Sequence, residues 1–329
     1  MATYSTLKGF TIQSLASDPS PLVDGQIWYN TTSTVLKGTN NTGPGTWASG
    51  NAPSTNRYGV GSAGTATAGL QFAGYDNDTA AIALTTETYN GTTWTEVGDL
   101  TTGGSYGMGC GTQTAAFFAG ASSPKDSAVA QTWNGSSWTA GPAFLTTRYA
   151  GGGGGITTSA VYTGGWKAPG YANESETWDG TSWTEGSNSN TARNYVYSSG
   201  SSSSDAMISG GNTGSSSAAV ETYNGTSWTT ATALPETMKE GGGMGTGSTS
   251  SIVFGGISAS SPLSAQARTF NGSAWTEVGN LASARQTINQ GGNTGGTGAF
   301  CMGGGPSAPL GLLCEEYTAG LQAVTFTAS

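Results

Sequence analysis

The chain has 329 residues, of which 55 are glycine and 9% are charged, and its formal net charge is −9. Only ten Lys and Arg residues are present and they are scattered, so the sequence lacks the basic patch that phosphate groups require and predicts no nucleic-acid partner. There is no histidine, and the three cysteines lack C-x-x-C spacing and are predicted to be free core thiols, so we predict no enzyme, no cofactor and no metal site.

Residues 1–44 are predicted to form an N-terminal arm and a hairpin. Residues 1–24 are polar and interrupted by proline, which is typical of an extended segment. Two short apolar runs, Gln26–Asn30 and Thr34–Lys37, are separated by three residues and predict a β-hairpin. The start of the chain has no apolar stretch of the Sec signal type, and no run of 18 apolar residues occurs, so we expect neither Sec export nor membrane insertion.

From residue 45 to about residue 320 one pattern recurs, and its first full copy is Tyr89–Trp94. It consists of an aromatic residue, Asn-Gly or Asp-Gly, two further residues and a tryptophan. The tryptophans follow one another at intervals of 44 to 47 residues and stand at Trp47, Trp94, Trp138, Trp183, Trp228 and Trp275. Such a period is typical of one four-stranded propeller blade, and Asn-Gly predicts a two-residue type I′ turn between two strands.

Each period also contains a glycine-rich stretch and an apolar run that ends in glycine, such as Ala160–Thr163 before Gly164. These two segments and the two strands of the hairpin make four strands per period. No window shows sustained helical periodicity, so we predict an all-β fold.

The repeats resemble the Kelch repeat, whose family fold is a β-propeller. The resemblance depends on the glycine doublet, a later Glu-x-aromatic, a tryptophan about six residues further on and an arginine that enters the next repeat. In addition, Asp24–Gly38, which reads D-G-Q-I-W-Y-N-T-T-S-T-V-L-K-G, together with repeats of the form E-T-Y-N-G-T-S-W, resembles structural proteins of tailed bacteriophages, especially fibre and appendage proteins.

The repeat count predicts a six-bladed Kelch-like β-propeller over residues 45–320, with 321–329 as a C-terminal tail strand. Five periods end in a tryptophan, whereas the last segment has none and Trp47 has no repeat before it. We therefore expect the Trp47 strand to complete the sixth blade, which would close the ring and leave no exposed sheet edges. The alternative is seven blades, with Gln26–Lys37 and Leu321–Phe326 as the extra strands.

Charged residues recur at two positions of the repeat and predict structural ion pairs. The basic position precedes the glycine-rich strand and the acidic position lies on the third strand. The basic residues are Arg57, Arg148, Arg193 and Arg285, with Lys239 assigned to the same position, and the acidic residues are Glu87, Glu176, Glu221 and Glu315. The second repeat loses both members, with Gly103–Ser105 and Gln131 in their places, and the fifth carries Arg268 on the third strand. The alternative interpretation is a charged functional face.

The candidate binding residues are Trp166 and Tyr171, in a loop with a Pro-Gly bend, and Tyr75 in the matching loop of the first repeat. Exposed aromatic rings present apolar faces that suit the C–H faces of sugars, although loop aromatics also pack against their own domain. The phage resemblance implies a virion structural protein, made in the host cytoplasm, that docks on other virion subunits through its N-terminal segment.

Within that function two roles are open. The first is a tail-fibre or appendage adhesin that binds host surface polysaccharide as a homo-oligomer, and the second is a capsid-decorating or tail-assembly protein. A polysaccharide-active enzyme is the alternative from another class.

Overall fold

The computed structural model describes residues 12–23, 26–122, 127–286, 298–305 and 310–325. These residues form strands and one short 3-10 helix, Leu310–Leu312, with no α-helix among them, so the fold is all-β as predicted. The chain divides into two compact units. Unit 1 comprises residues 1–46 and 318–329, and unit 2 comprises residues 47–317.

Unit 1 contains a small sheet built on the predicted hairpin. Strand β1 (Gln13–Leu15) pairs in parallel with β2 (Ile27–Asn30), and β2 pairs antiparallel with the first part of β3 (Val35–Ser49). Ile27 lies opposite Gly38 and Asn30 lies opposite Val35, so the hairpin prediction is confirmed.

The carboxylate of Asp18 fastens the chain before this hairpin to its strands. It accepts hydrogen bonds from Trp28 Nε1 at 3.2 Å, Asn30 Nδ2 at 2.8 Å and Lys37 Nζ at 2.8 Å. The hydrogen bond from Lys37 is the main cause of a lowered pKa of Asp18. One carboxylate therefore fixes a segment that the sequence alone predicted only as an extended arm.

Unit 2 consists mainly of antiparallel sheets, one for each sequence period. The first period contains β4 (Arg57–Tyr58), β5 (Gly61–Thr65), β6 (Ala68–Phe72), β7 (Tyr75–Asp76), β8 (Ala81–Ile82), β9 (Thr86–Tyr89) and β10 (Trp94–Val97). The second contains β11 (Met108–Thr112), β12 (Ala115–Ala121), β13 (Ser127–Trp133) and β14 (Trp138–Ala140). The third contains β15 (Gly152–Ile156), β16 (Ser159–Thr163), β17 (Trp166–Lys167), β18 (Gly170–Tyr171), β19 (Ser175–Trp178) and β20 (Trp183–Gly186).

The remaining periods follow the same plan. The fourth contains β21 (Tyr197–Ser202), β22 (Asp205–Ser209), β23 (Val220–Tyr223) and β24 (Trp228–Thr230). The fifth contains β25 (Met238–Lys239), β26 (Gly242–Gly247), β27 (Ser250–Phe254), β28 (Ile257–Ser258), β29 (Ala267–Phe270) and β30 (Trp275–Glu277). The last contains β31 (Gly298–Met302) and β32 (Cys314–Thr325).

In each of the first five periods four strands pair in sequence order, and we call these sheets 1 to 5. Their orders are β5-β6-β9-β10, β11-β12-β13-β14, β15-β16-β19-β20, β21-β22-β23-β24 and β26-β27-β29-β30. The shorter strands form small separate pairings in the loops, namely β4-β7-β8, β17-β18 and β25-β28. Each of these five periods therefore has the four strands that were predicted.

The first strands of neighbouring sheets contact each other directly. Strand β5 contacts β11, β11 contacts β15, β15 contacts β21 and β21 contacts β26. In the last period β31, which matches the second strands of the other sheets, contacts both β26 and β5. The backbones come so close here that a Cβ on Gly154 would lie 2.3 Å from Gly200 Cα, and one on Gly109 would lie 2.4 Å from Ser62 N. Since real Cβ atoms do not tolerate such distances, these contacts explain the glycine-rich first strands.

The last sheet of unit 2 includes residues from both ends of that unit. Within it Cys314–Tyr317 of β32 lies between β31 and the Trp47–Ser49 part of β3. The Gly50 N–H donates to the Cys314 carbonyl at 2.9 Å, and the ring centroids of Trp47 and Tyr317 are 5.4 Å apart. Trp47 therefore belongs to the last sheet, as predicted. The predicted tail 321–329 and strand Leu321–Phe326 extend beyond the described residues, which end at Thr325.

Tryptophans of the fourth strands fill the space between sheets. The Trp138 ring packs on Phe72 of sheet 1 at 4.8 Å, and its indole N–H donates to Thr86 Oγ1 at 2.8 Å. Trp228 donates in the same way to Ser175 Oγ at 2.9 Å. At Trp183 the equivalent position is Ala130, and the buried indole N–H has no hydrogen-bond partner among the described residues. The cysteines Cys110, Cys301 and Cys314 are free and buried, as predicted.

The prediction of two-residue type I′ turns is wrong, as the loop at Asn90 shows. Tyr89 pairs directly with Trp94, so the loop has four residues, and the Asn90 N–H donates to the Thr93 carbonyl at 3.3 Å. Asn90 Oδ1 accepts from the N–H groups of Thr92 and Thr93, and the positive φ, 87°, falls on Gly91 and not on Asn90. The side chain of Asn closes the loop in place of a second left-handed residue.

Candidate functional site

All four predicted Arg–Glu pairs are in contact. The nitrogen–oxygen distances are 2.5 Å for Arg57–Glu87, 2.7 Å for Arg148–Glu176, 3.0 Å for Arg193–Glu221 and 2.9 Å for Arg285–Glu315. The arginine side chains are fully buried and the glutamates are at most 4% exposed. Since no ligand can reach them, the pairs are structural. Burial lowers the pKa of Arg57 and of Arg193.

Each of these glutamates also holds the loop that precedes its arginine. Glu176 accepts from the Leu145 N–H at 2.6 Å and from the Thr146 N–H at 3.1 Å. In sheet 2 Gln131 keeps this role, because its Oε1 accepts from the Thr101 N–H at 2.9 Å and its Nε2 donates to the Thr102 carbonyl at 2.7 Å. A neutral amide is therefore sufficient to hold the loop where no arginine is present.

In sheet 5 the acidic and basic residues of the ion pair exchange places. The prediction that Lys239 occupies the position of the arginines is wrong. Arg57, Arg148 and Arg193 lie four residues before the first strands of their sheets. The residue at that position in sheet 5 is Met238, which is fully buried. Arg268 reaches from the third strand to Met238 Sδ at 3.1 Å and donates to Glu236 Oε1 at 2.6 Å. The acid thus comes from the loop and the base from the strand. Lys239, one residue later, is partly exposed and lies 3.9 Å from Glu240.

One surface of unit 2, the loop face, consists of the segments before the first strands and the loops paired with them. The pairs are Tyr58 with Tyr75, Ser105 with Ser122, Tyr149 with Trp166, Asn194 with Asn212, and Lys239 with Ile257. Two of the three predicted binding residues, Tyr75 and Trp166, therefore occupy equivalent positions, and both lie opposite a tyrosine.

A relay of backbone hydrogen bonds crosses the loop face from sheet to sheet. In each link the N–H of one residue donates to the carbonyl of its equivalent in the preceding period. The residues in order are Gly59, Tyr106, Ala150, Tyr195 and Glu240, with distances of 2.8, 2.8, 2.7 and 3.1 Å. All five have left-handed φ values of 52° to 62°, which is uncommon for residues other than glycine.

The relay brings together four tyrosines, Tyr58, Tyr106, Tyr149 and Tyr195, which we call the tyrosine cluster. The ring centroids of Tyr58 and Tyr106 are 6.0 Å apart, and those of Tyr106 and Tyr195 are 5.6 Å apart. All four side chains are partly exposed. Burial, together with the neighbouring phenols and Glu240, raises the pKa of Tyr106, and the same causes raise the pKa of Tyr195 to about 12.

Glu240 is an acidic group that interacts with this cluster. Its carboxylate is close enough to influence both Tyr106 and Tyr195, and burial raises its own pKa against the opposing effect of Lys239. Sequence reasoning missed the cluster because its members are not at one repeat position. Tyr58 and Tyr149 directly follow an arginine, whereas Tyr106 and Tyr195 are relay residues. The sequence did contain one sign of the cluster, namely that tyrosines are frequent in the few residues before the first strands.

The predicted residues Trp166 and Tyr171 face each other across the short β17–β18 hairpin. Their ring centroids are 5.2 Å apart at 85°, and Asn212 Nδ2 donates to the Tyr171 hydroxyl at 3.3 Å. Both rings are partly exposed. Tyr75 contacts Tyr58 at 5.3 Å, so the three predicted residues and the tyrosine cluster belong to the same loop face.

An open depression of about 320 Å³ lies elsewhere, on sheet 2. Its lining is neutral and includes Thr102, Val129, Gln131, Ala140 and Ala143. The described residues contain no group of three or more Cys, Asp or Glu side chains that could hold a metal ion. They also form no helix of the length and apolarity that crossing a membrane requires. The loop face is therefore the better candidate site.

A search of protein-family models finds none that matches the chain, and a search of curated proteins finds no similar protein.

Proposed function

We propose that unit 2 is a closed six-bladed β-propeller of Kelch-like type. The direct contacts from β5 through β26 and back through β31 support the closure, as does the last sheet with Trp47 in it. Deletion of residues 1–50 removes the Trp47 strand and should lower the melting temperature sharply, whereas deletion of residues 1–24 should not. Equal melting temperatures for the two deletions would contradict closure. If removal of residues 25–40 already lowers the melting temperature, seven blades would be favoured.

We propose further that the protein is a virion structural protein of a tailed bacteriophage, an appendage adhesin that binds host surface polysaccharide through the loop face. The observation that carries the binding role is the concentration of partly exposed aromatic rings on that face. The virion role is supported by the resemblance of Asp24–Gly38 and of the repeats to phage fibre proteins.

The physical basis is the match between aromatic rings and sugars. A pyranose offers an apolar C–H face to a ring and hydroxyl groups at its edge, and tyrosine offers both an apolar body and a hydroxyl. At Trp166 and Tyr171 two rings meet at 85°, so a sugar that stacks on one can touch the edge of the other. Single-site affinity of this kind is weak, and several copies on one appendage would raise it by multivalency.

Binding to an array of bacterial surface polysaccharides and to whole bacteria tests this proposal. Trp166→Ala and Tyr171→Ala should each weaken binding and leave the melting temperature nearly unchanged. Thr184→Ala, on an exposed position of β20, is the matched control and should change neither quantity. If binding is unchanged in both aromatic variants, the adhesin role is contradicted and assembly contacts through residues 1–30 become the alternative.

The virion role has a separate test. Particles purified from infected cells should contain the protein by mass spectrometry, at a stoichiometry of several copies per particle. Absence from the particles would overturn the virion role without bearing on the sugar-binding face.

A further inference from the structure

We propose that the four Asn-Gly loops of unit 2 are sites of spontaneous deamidation, in which the folded chain converts an asparagine amide into a carboxylate without an enzyme. The asparagines are Asn90, Asn134, Asn224 and Asn271, and each is followed by glycine. The inference goes beyond the proposed binding function and does not depend on it.

The nitrogen that attacks in this reaction is available in all four loops. Deamidation begins when the backbone nitrogen of the next residue loses its proton and attacks the side-chain carbonyl carbon of asparagine. A hydrogen bond from that N–H, or a side chain beside it, hinders the attack, and glycine has no side chain. The glycine N–H of each loop donates to no described residue. Asn134 and Gly135 are both exposed, so water reaches the nitrogen that has to be deprotonated.

The carbonyl that is attacked already has donors around its oxygen. The attack places a negative charge on this oxygen, and donors that are held in place around it lower the barrier. Asn134 Oδ1 accepts from the Ser136 N–H at 3.0 Å, the Ser137 N–H at 2.9 Å and the Ser136 hydroxyl at 2.9 Å. The other three loops have the two N–H donors, at 2.8 to 3.0 Å, and no such hydroxyl among the described contacts. Asn134 should therefore react fastest.

The leaving group is free as well. The Nδ2 atoms of the four asparagines donate to no described residue. When the glycine nitrogen bonds to Cγ, the Cγ–Nδ2 bond breaks and Nδ2 leaves as ammonia. Water then opens the cyclic imide, adding at Cγ to give aspartate or at the backbone carbonyl carbon to give isoaspartate. In total one water is consumed and one ammonia is released.

Period 3 shows that the aspartate product is compatible with the fold. It carries Asp179 at this position, and Asp179 Oδ1 accepts from the N–H groups of Thr181 and Ser182, both at 2.8 Å. The flanking aromatics pair as they do in period 2, so the loops have the same length. Each conversion adds one negative charge to a chain whose formal net charge is −9. Deamidation therefore makes the loops more acidic while their hydrogen bonds can stay in place.

Asn30 has the opposite arrangement and is the internal control. Its Oδ1 accepts from the N–H groups two and three residues later, at 3.1 and 2.9 Å, as in the Asn-Gly loops. However, the Thr31 N–H donates to the Leu15 carbonyl at 2.8 Å, and Asn30 Nδ2 donates to Asp18 at 2.8 Å. Both the attacking nitrogen and the leaving group are therefore held, and Asn30 should stay unmodified.

The test incubates the full-length protein at mildly alkaline pH in H₂¹⁸O, followed by peptide mapping with mass spectrometry and by isoelectric focusing. The peptides that contain the Asn-Gly loops should lose nitrogen and gain one heavy oxygen, with Asn134 first, and the Asn30 peptide should not change. Isoelectric focusing should show a series of successively more acidic forms. A parallel sample unfolded in guanidinium chloride gives the rates without the loop geometry.

Ser136→Ala tests the part played by the hydrogen bonds. It should lower the rate at Asn134 severalfold and leave the rate at Asn224, measured in the same molecule, unchanged. An unchanged rate at Asn134 would contradict the role of the hydroxyl. Labelling of the loops only in the unfolded chain, or equal labelling of Asn30 and Asn134 in the folded protein, would overturn the proposal.

Discussion

Replacement of Arg148 by methionine should strongly destabilise unit 2, because Glu176 would remain buried without its partner. The guanidinium is fully buried and its Nη1 donates to Glu176 Oε1 at 2.7 Å. It also lies 5.0 Å from the centroid of the Tyr162 ring, so the substitution removes a cation–π contact too. Breaking a buried pair in this way costs about 3–5 kcal/mol, which is a factor of about 100 to 5,000 in the unfolding equilibrium.

The chain itself suggests the compensating change. Gln131 holds its loop in sheet 2 with no arginine present, and its single Oε1 accepts from the N–H groups of both Thr101 and Thr102. Glu176→Gln in the Arg148→Met background should therefore hold Leu145 and Thr146 through its one amide oxygen and remove the unpaired charge. The double variant should therefore be more stable than Arg148→Met alone.

Urea denaturation of the wild type, both single variants and the double variant gives the coupling free energy of the two residues. A coupling of more than about 1 kcal/mol is expected for a buried contact pair. Additive effects, or a loss of less than about 1 kcal/mol in Arg148→Met, would refute the interpretation that the pair is buried and mutually dependent.

Three further predictions follow from the described contacts. Ala130→Ser should stabilise the protein by about 1 kcal/mol in urea denaturation, because it offers an acceptor to the unpaired indole N–H of Trp183; a destabilised variant would contradict that geometry. Asp179 has its pKa lowered to about 2 by backbone hydrogen bonds in its loop, so the stability it contributes is present above its ordinary pKa of 3.8 and is lost as the pH falls toward 2. Asp179→Asn should therefore flatten the acid limb of the stability curve, and identical limbs would count against the prediction. Burial raises the pKa of Cys110 to about 12 and that of Cys301 to about 11, so a thiol reagent at neutral pH should label neither residue until the protein is unfolded in denaturant.

The repeated part of the fold could be predicted from the sequence because the same residue types recur at the same positions of each period, where they make the same contacts. The Arg–Glu pairs are the clearest case. Arg and Glu disappear together from the second repeat, and a shared loss of two opposite charges indicates that each one needs the other. The position of Trp47 was predictable for a similar reason, since the last repeat lacks the strand that the start of the chain has in excess.

Two predictions failed, the assignment of Lys239 and the turn type at Asn90, because the residues present also fitted another arrangement. Lys239 carries the positive charge that the repeat leads one to expect, yet the buried position belongs to Met238 because sheet 5 places its arginine on the opposite strand. At Asn90 the Asn-Gly pair is compatible with a type I′ turn, but the loop closes through the Asn side chain and needs only one left-handed residue. The first error is a shift of one residue and the second is an error in loop length, and both depend on side-chain contacts that composition and spacing do not determine.

The tyrosine cluster could not be predicted from a repeat alignment because it depends on contacts between periods. Tyr58 and Tyr106 belong to different periods and stand at different repeat positions, and only the arrangement of successive periods brings their ring centroids to 6.0 Å.

The hydrogen bond from Gly50 to Cys314 has a consequence for the order in which the protein can fold. The four strands of each of sheets 1 to 5 come from one segment of the chain, so each sheet can form as soon as its own segment has left the ribosome. The last sheet must join residues about 264 positions apart, and the chain entropy lost in that closure amounts to about 5 kcal/mol from (3/2)RT ln n. The Trp47–Ser49 part of β3 is thus synthesised early and paired late. A ribosome that stops before Cys314 releases a chain in which this part of β3 lacks its partner strand β32.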